Sequence, residues 1–502
     1  MLVNRRRFLE GSSLLLAGAS LPLEAAWSAR PSLPSFYGEI EQRTFRWFWD
    51  RVNRKNGLVP DRWPTPSFCS IASVGFALPA YAIGAERGWC SRTEARDLTL
   101  TTLRFFWKAP QGPAPTGTSG HAGFFYHFLD MESGLRYRDV ELSSVDTTIL
   151  LMGVLFAGQF YDRDNAAESE IRSLAKKLYE RADWNFFRSD GRGAISMGWH
   201  PEGGLIPANW VGFNEGMFVN ILALGSPTHP APGNLWGQWT ANYAQFWRGQ
   251  GPARRLAFAP LFGHQYSQVF IDFRAIRDAA MREAGFDYFE NSRRETYANR
   301  AYCIANPMGW RGYSKDFWGL TACDGPGYFE LPYKGEKRTF FGYSARGPAG
   351  EPDGRDDGTI APTAALSSLP FAPEIVVPAA DAMMKQPRLF DRYGFKDSFN
   401  PSFSFTDLKV ETGSVDPKHG WVAKDYLGID QGPILLQAAN YRDDFVWRYM
   451  RRVPAIRRGL ERAGFSGGWL ASGPAQRGRA SRRQPSWTFR RAIGINSRLG
   501  RS

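Results

Sequence analysis

Three acidic residues stand at the entrances of apolar runs. Asp146 closes the stretch Arg138-Asp139-Val140-Glu141-Leu142-Ser143-Ser144-Val145-Asp146 and precedes the run Ile149 to Ala157. Glu215 lies in Trp210-Val211-Gly212-Phe213-Asn214-Glu215-Gly216-Met217, ahead of a second apolar run. Asp430 lies in Gly428-Ile429-Asp430-Gln431-Gly432-Pro433-Ile434, ahead of a third. Apolar surroundings penalise the ionised form of a carboxyl, so such an acid can keep its proton toward neutral pH and donate it to a leaving group. A second carboxylate can activate water or attack carbon, and this pairing is what glycosidic cleavage needs. Glu215, flanked by Phe213 and Met217, is the expected acid. Asp430 is the expected base, with Asp146 as the alternative. A lone acid in a first helical turn can instead complement the helix dipole or cap the helix. What singles these three out is that they occupy like positions.

Further residues could hold a sugar. Asp139, Glu141, Asp324, Asp357 and Gln431 are expected to bind hydroxyls. Trp210, Phe213, Trp318 and Tyr328 are expected to offer rings to the apolar face of a sugar. Aromatics make up 15% of the chain, more than an ordinary core requires. Other chemistries fit poorly. His-Glu-x-x-His is absent and the six His are scattered, so neither a metal nor another cofactor is expected. Gly464-Phe465-Ser466-Gly467-Gly468 matches a nucleophile elbow, but that fold needs a His downstream, and the last His is His419.

These residues must be positioned by helices. Phe36, Ile40, Phe45, Phe48, Trp49 and Val52 share one face at helical spacing. Further helices are expected over 70–87, 93–107, 144–160, 166–182, 213–224, 234–248, 265–284, 286–300, 361–384, 430–448 and 450–464. The run after Asp146 is apolar nearly all round, the pattern of a buried inner helix. Strand-like alternation is scarce. A dozen helices joined by Gly/Pro-rich loops predict an all-α fold of paired helices closing into a toroid, with acids gathered in loops on one face.

The net charge of +13 does not mark a nucleic-acid protein. Eight Arg between Arg477 and Arg501, with Arg5, Arg6 and Arg7 against Glu10, supply ten of those charges and leave +3 for the body. A basic face on the folded part is what nucleic-acid binding requires. Asn4-Arg5-Arg6-Arg7-Phe8-Leu9, followed by Leu14-Leu15-Leu16-Ala17, resembles a twin-arginine (Tat) export signal. The expected organisation is a signal over 1–29, a catalytic domain over 30–465 and a basic, disordered tail over 466–502. The expected location is the periplasm or beyond, reached through the Tat machinery by a monomer. Cys69, Cys90, Cys303 and Cys323 fit no zinc spacing, and a disulfide among them is open.

Several ordered motifs resemble one family. They are Asn214-Glu215 with Leu222-Ala223-Leu224-Gly225-Ser226-Pro227-Thr228-His229-Pro230, Asp324-Gly325-Pro326, Asp357-Gly358-Thr359-Ile360-Ala361-Pro362 with Ser368-Leu369-Pro370-Phe371, and Asp430-Gln431-Gly432-Pro433-Ile434. They resemble the glucoamylase-like bacterial glycoside hydrolases, a family that includes the endo-β-1,2-glucanases of glycoside hydrolase family 144. Gly216 departs from the pattern, which has Ala there. The resemblance implies an (α/α)6 barrel, a glucan substrate, β-1,2-linked, and an inverting two-carboxylate mechanism. A transglycosylase on the same substrate class, or an inactive carbohydrate-binding protein, would carry the same motifs.

Overall fold

A computed structural model describes residues 30–471 apart from 189, 190, 192, 352 and 353. The proposed signal and most of the basic tail lie outside the described residues. Twelve helices carry the architecture: α1 Ser35–Arg51, α2 Ile71–Glu86, α3 Arg92–Lys108, α4 Ser144–Phe160, α5 Ala166–Glu180, α6 Met217–Gly225, α7 Phe262–Phe270, α8 Tyr288–Ala305, α9 Pro362–Leu366, α10 Pro373–Met384, α11 Gly428–Asp443 and α12 Pro454–Arg462.

Two kinds of helix alternate along the chain. α2, α4 and α6 are apolar on nearly every side, and almost every residue in them, and in the more polar α11, is buried. α3 and α5 bury one stripe only and start with polar caps, Ser91 with Glu94 and Asn165. Burying a Leu or Ile contributes about 1.5–3 kcal/mol, so an all-apolar helix is stable only where other helices cover it. α2 packs on α4 and α11, and α4 reaches α6. α7 and α9 also touch α11. The amphipathic helices back this layer: α1 on α2 and α11, α3 and α5 on α2 and α4, α12 on α6, α8 on α7 and α10 on α9.

Glycine lets two inner helices touch. A Cβ on Gly153 of α4 would lie 2.0 Å from the Gly75 carbonyl oxygen of α2, and one on Gly75 would lie 2.4 Å from the Ile149 carbonyl oxygen. Neither position has room for a side chain.

The fold is mostly helical but not strictly all-α. Short strands fill the loops, because backbone groups brought into the interior between helices must find partners. The largest sheet has five antiparallel strands in sequential order: β1 Gly120–His121, β2 Phe124–Tyr126, β3 Leu142–Ser143, β4 Gly198–His200 and β5 Gly204–Leu205. β3 runs directly into α4, so its register (Leu142 opposite Trp199, Ser143 opposite Gly198) sets where α4 begins.

Four expected helices are broken. The stretch 234–248 is helical only over Leu235–Thr240 before a short turn and a strand, and 430–448 divides at Asp444, which takes φ 56°. The stretch 265–284 divides at Ile271, where Ala275 takes φ 59°. The stretch 361–384 divides between α9 and α10, before Pro373. The expected boundary at 466 also falls inside packed chain. Ser466 and Gly467 pair with Arg277 and Ile276, and Trp469 Nε1 donates to the Asp272 carbonyl at 2.8 Å. The four cysteines, expected only as possible disulfide partners, are all free thiols.

Candidate active site

Asp146 is placed by its own cap. Ser143 Oγ accepts from the Asp146 backbone N–H at 3.1 Å and donates to Asp146 Oδ2 at 2.6 Å. The next hydroxyl, Ser144 Oγ, accepts from Trp210 Nε1 at 2.8 Å and reaches the Ser196 carbonyl at 2.8 Å. Trp210 is therefore a buried strut between the α4 mouth and the turn that carries Glu215, and not a sugar platform.

Glu215 sits in that turn, two residues before α6 begins, rather than inside the helix as a cap. Asn214 Oδ1 accepts from Gly216 N–H at 2.9 Å, and Ser267 Oγ of α7 donates to the Glu215 carbonyl at 3.2 Å. A Cβ on Gly216 would stand 2.5 Å from the Trp210 ring. The Gly found here is thus matched to the ring pressed against it. Asp430 is the third residue of α11, and its backbone carbonyl accepts from Thr363 Oγ1 at 3.1 Å.

Asp146, Glu215 and Asp430 face one cavity of about 150 Å³, together with His127, Tyr266 and Tyr343. Their electrostatics follow from that enclosure. Burial, reinforced by the Asp146 charge, pushes the Glu215 carboxyl up to about 7, and Glu215 Oε2 is a buried oxygen with no donor among the described residues. Burial and then the neighbouring Asp397 push Asp430 well above the usual carboxylate range. Burial also raises Asp146, opposed by His127.

His127 is a member that the sequence does not announce. Its Nδ1 lies 2.8 Å from Glu141 Oε1 and its Nε2 lies 3.5 Å from Asp146 Oδ1. Burial alone would favour the neutral imidazole, but Asp146 and Glu141 outweigh it and push His127 up to about 9. The same contact holds Glu141 low despite its own burial. The three side chains come close enough to offer ligands to a cation. Each ring nitrogen already has its own carboxylate, however, and the arrangement is that of an imidazolium between two anions. The only signal of His127 in the sequence is its type; the site contact arises because its strand neighbour Tyr126 pairs with Leu142, which brings His127 opposite Glu141, whose carbonyl accepts the His127 N–H at 3.0 Å.

Other expected contacts lie elsewhere. Asp357 is fully buried against Arg346, with Nε–Oδ1 2.8 Å and Nη2–Oδ2 2.9 Å. It holds a loop and does not face the cavity. Asp324 pairs with Arg62 Nη1 at 2.9 Å and is not among the residues that line the cavity. Gln431 donates to the Phe395 carbonyl at 2.8 Å and is buried. Asp139 is exposed in a turn, outside the cavity lining. Phe213 and Trp318 are core residues, Phe213 stacked with Tyr288 at 6.0 Å. Tyr328 is exposed, and so is Tyr343, which the sequence reading did not single out.

Residues 207–454 match the Glycoamylase family model, described as "Putative glucoamylase", a span that contains Glu215 and Asp430. A crystal structure described as a "putative glucoamylase" from Bacteroides uniformis is 31% identical, with 88% of this chain and 100% of that one covered and a TM-score of 0.73. The chain belongs to the glucoamylase-like family. Within it, an endo-β-1,2-glucanase from Chitinophaga pinensis, solved with sophorotriose and glucose, is 26% identical over 88% of this chain and 100% of that one, with a TM-score of 0.71. An exo-β-1,2-glucooligosaccharide sophorohydrolase from Parabacteroides distasonis is 26% identical over 84% of this chain. The chain spans 57% of the length of that curated relative. His127, Glu141 and Asp146 lie upstream of the span that matches the family model.

Proposed function

We propose that this glucoamylase-like chain is a glycoside hydrolase that cleaves β-1,2-linked glucan with inversion, using Glu215 as general acid and Asp430 as general base. The observation that carries the reading is the cavity itself, where carboxyls from three separate helix mouths converge. Glu215 supplies a proton near neutral pH because its carboxyl is buried, near the Asp146 charge and without a donor at Oε2 among the described residues. Asp430 takes the proton of the attacking water. Asp146, Glu141 and His127 form the charged wall that orients sugar hydroxyls. Tyr343, exposed and lining the cavity, is the ring available to stack on the sugar.

The linkage rests on the two named relatives, both of which act on β-1,2-glucans. The alternation of inner and outer helices supports closure into an (α/α)6 toroid, with the cavity at the face where the inner helices start. The twin-arginine leader supports export to the periplasm or beyond.

Incubation with β-1,2-glucan should release new reducing ends, while β-1,3- and α-1,4-glucans should not be cut. Inverting carboxyls stand about 6.5–9.5 Å apart to admit water, and proton NMR of the first product should then show the α-anomer. Release of reducing ends from α-1,4-glucan alone would overturn the substrate class, and an initial β-anomer would overturn inversion.

A further inference from the structure

Between the acids of the cavity stands a polar group that carries no charge. Tyr266 of α7 is 7% exposed and lines the cavity beside Asp146, Glu215 and Asp430. Its hydroxyl has no hydrogen-bond partner among the described residues, and it opens on the cavity. Tyr37 and Tyr81 also lack partners, but their hydroxyls are sealed in the core. Tyr288 and Tyr179 close theirs on protein, on Asp278 Oδ2 at 2.9 Å and on the Leu222 carbonyl at 2.8 Å.

The ring beneath that hydroxyl is fixed. Phe76 of α2 meets it edge-on with centroids 5.9 Å apart, and Phe262 lies against it at 5.2 Å. The helix is fixed as well. The Phe262 N–H donates to Thr321 Oγ1 at 3.1 Å, Gln265 Nε2 donates to the Ala364 carbonyl at 2.7 Å, and Ser267 Oγ donates to the Glu215 carbonyl at 3.2 Å. Through Ser267, the residue after Tyr266 is tied to the backbone of Glu215. A donor held in place before its ligand arrives loses little entropy on binding.

The donors around the cavity show what this hydroxyl is for. Asp146 and Asp430, once ionised, only accept hydrogen bonds, and the Glu215 proton goes to the leaving oxygen. His127 turns Nδ1 to Glu141 and Nε2 to Asp146. Ile149, Phe262 and Ile429 bring no polar side-chain atom to the wall. Two phenols are left, Tyr343 largely exposed and Tyr266 enclosed. A sugar hydroxyl brings one hydrogen and two lone pairs. The hydrogen can go to a carboxylate, but the oxygen needs a donor, and a buried oxygen without one is costly. Burial and then the Asp430 charge hold the Tyr266 phenol well above its ordinary range, so it keeps its proton and donates.

We propose that Tyr266 Oη donates a hydrogen bond to a hydroxyl oxygen of the glucosyl unit bound between Glu215 and Asp430, which makes α7 a sugar-binding wall of the cavity. This rests on the reading of the site as a hydrolase of β-1,2-glucan. It also makes Tyr266 selective, since a sugar lacking a free hydroxyl at that point leaves the phenol unpaired.

Tyr266→Phe deletes the hydroxyl and keeps the ring between Phe76 and Phe262. Because Oη has no protein partner, urea unfolding of Tyr266→Phe should match the wild type. Binding is read by calorimetric titration with sophorotriose in a Glu215→Gln background, where the bond stays intact. Adding Tyr266→Phe there should weaken Kd about tenfold, the range of one neutral hydrogen bond. In the cleaving enzyme it should raise KM by a similar factor and leave the basic limb of the pH profile in place. An equal Kd with and without the hydroxyl overturns this inference alone. A displaced basic limb at unchanged KM overturns it too, because the phenol would then serve Glu215 and not the sugar. A Glu215→Gln protein that binds no sophorotriose, together with a wild type that cuts no β-1,2-glucan, overturns the substrate reading and this inference with it.

Discussion

Arg346 grips Asp357 with two parallel hydrogen bonds, Nε–Oδ1 2.8 Å and Nη2–Oδ2 2.9 Å, and neither side chain reaches solvent. The same guanidinium donates to the carbonyls of Cys323, Phe341 and Gly342. This ion pair therefore fastens the loop that presents Tyr343 to the cavity. Removing one partner of a buried pair leaves an uncompensated charge, at a cost of about 3–5 kcal/mol. Asp357→Asn and Arg346→Met should each lower unfolding stability by that order in urea denaturation. A stable Asp357→Asn with only a raised KM would instead return Asp357 to substrate binding.

Glu215→Gln should reduce kcat by about 10²–10⁴-fold, the usual worth of a general acid. An acid whose pKa is raised to about 7 is protonated below that value and ionised above it. The wild-type kcat/KM should therefore fall as pH climbs through 7. Glu215→Gln should leave a slow residual rate without that basic limb. A basic limb that survives unchanged in Glu215→Gln belongs to another group and removes Glu215 from the acid role.

His127 links the site to stability. Its pKa rises from an unfolded value of about 6.5 to about 9 when folded. The folded state binds the proton more tightly, so the contribution is complete below about pH 6.5 and fades as pH rises through 9. The ceiling is about 3 kcal/mol, at 1.36 kcal/mol per unit. Urea denaturation of wild type and His127→Gln from pH 6 to pH 9.5 should show the wild-type advantage shrinking with pH. An advantage that stays constant across that window would mean the imidazolium contributes no net stability.

Tyr343 and Trp318 should separate cleanly. Tyr343 is 63% exposed beside the cavity, whereas Trp318 is fully buried. Tyr343→Ala should raise KM about tenfold, near 1.4 kcal/mol, with unfolding unchanged. Trp318→Ala should cost about 3–5 kcal/mol of stability and act on KM only through loss of folded protein. An unaltered KM in Tyr343→Ala would exclude its ring as a sugar platform.

Much of the scaffold is legible because it is written locally. Ser143 three residues before Asp146 is a cap signal, and the apolar run behind it marks an inner helix. The same reasoning applies to Glu215 before α6 and Asp430 in the first turn of α11. An acid at the mouth of an apolar run is conspicuous in one dimension, and these three do meet in one cavity. The breaks after Phe270 and after Leu366 are less visible, since apolar residues continue through both.

What the sequence by itself determined is thus the helical layering and the three acids at its mouths, since periodicity and capping depend on residues within a turn or two. Tertiary structure alone decided which charge each remaining acid meets. Asp357 lies eleven residues from Arg346, His127 nineteen from Asp146 and Asp397 thirty-three from Asp430. Asp357 and Asp430 sit in similar Gly- and Pro-bearing stretches, yet one is neutralised by a guanidinium and the other is pushed up by burial and by the Asp397 charge. Aromatic rings divide in the same way: Trp210, Phe213 and Trp318 are buried while Tyr328 and Tyr343 are exposed. Residue type fixes the charge or the ring, but its burial and its partner are properties of long-range packing, and those set the proton affinity on which the chemistry depends.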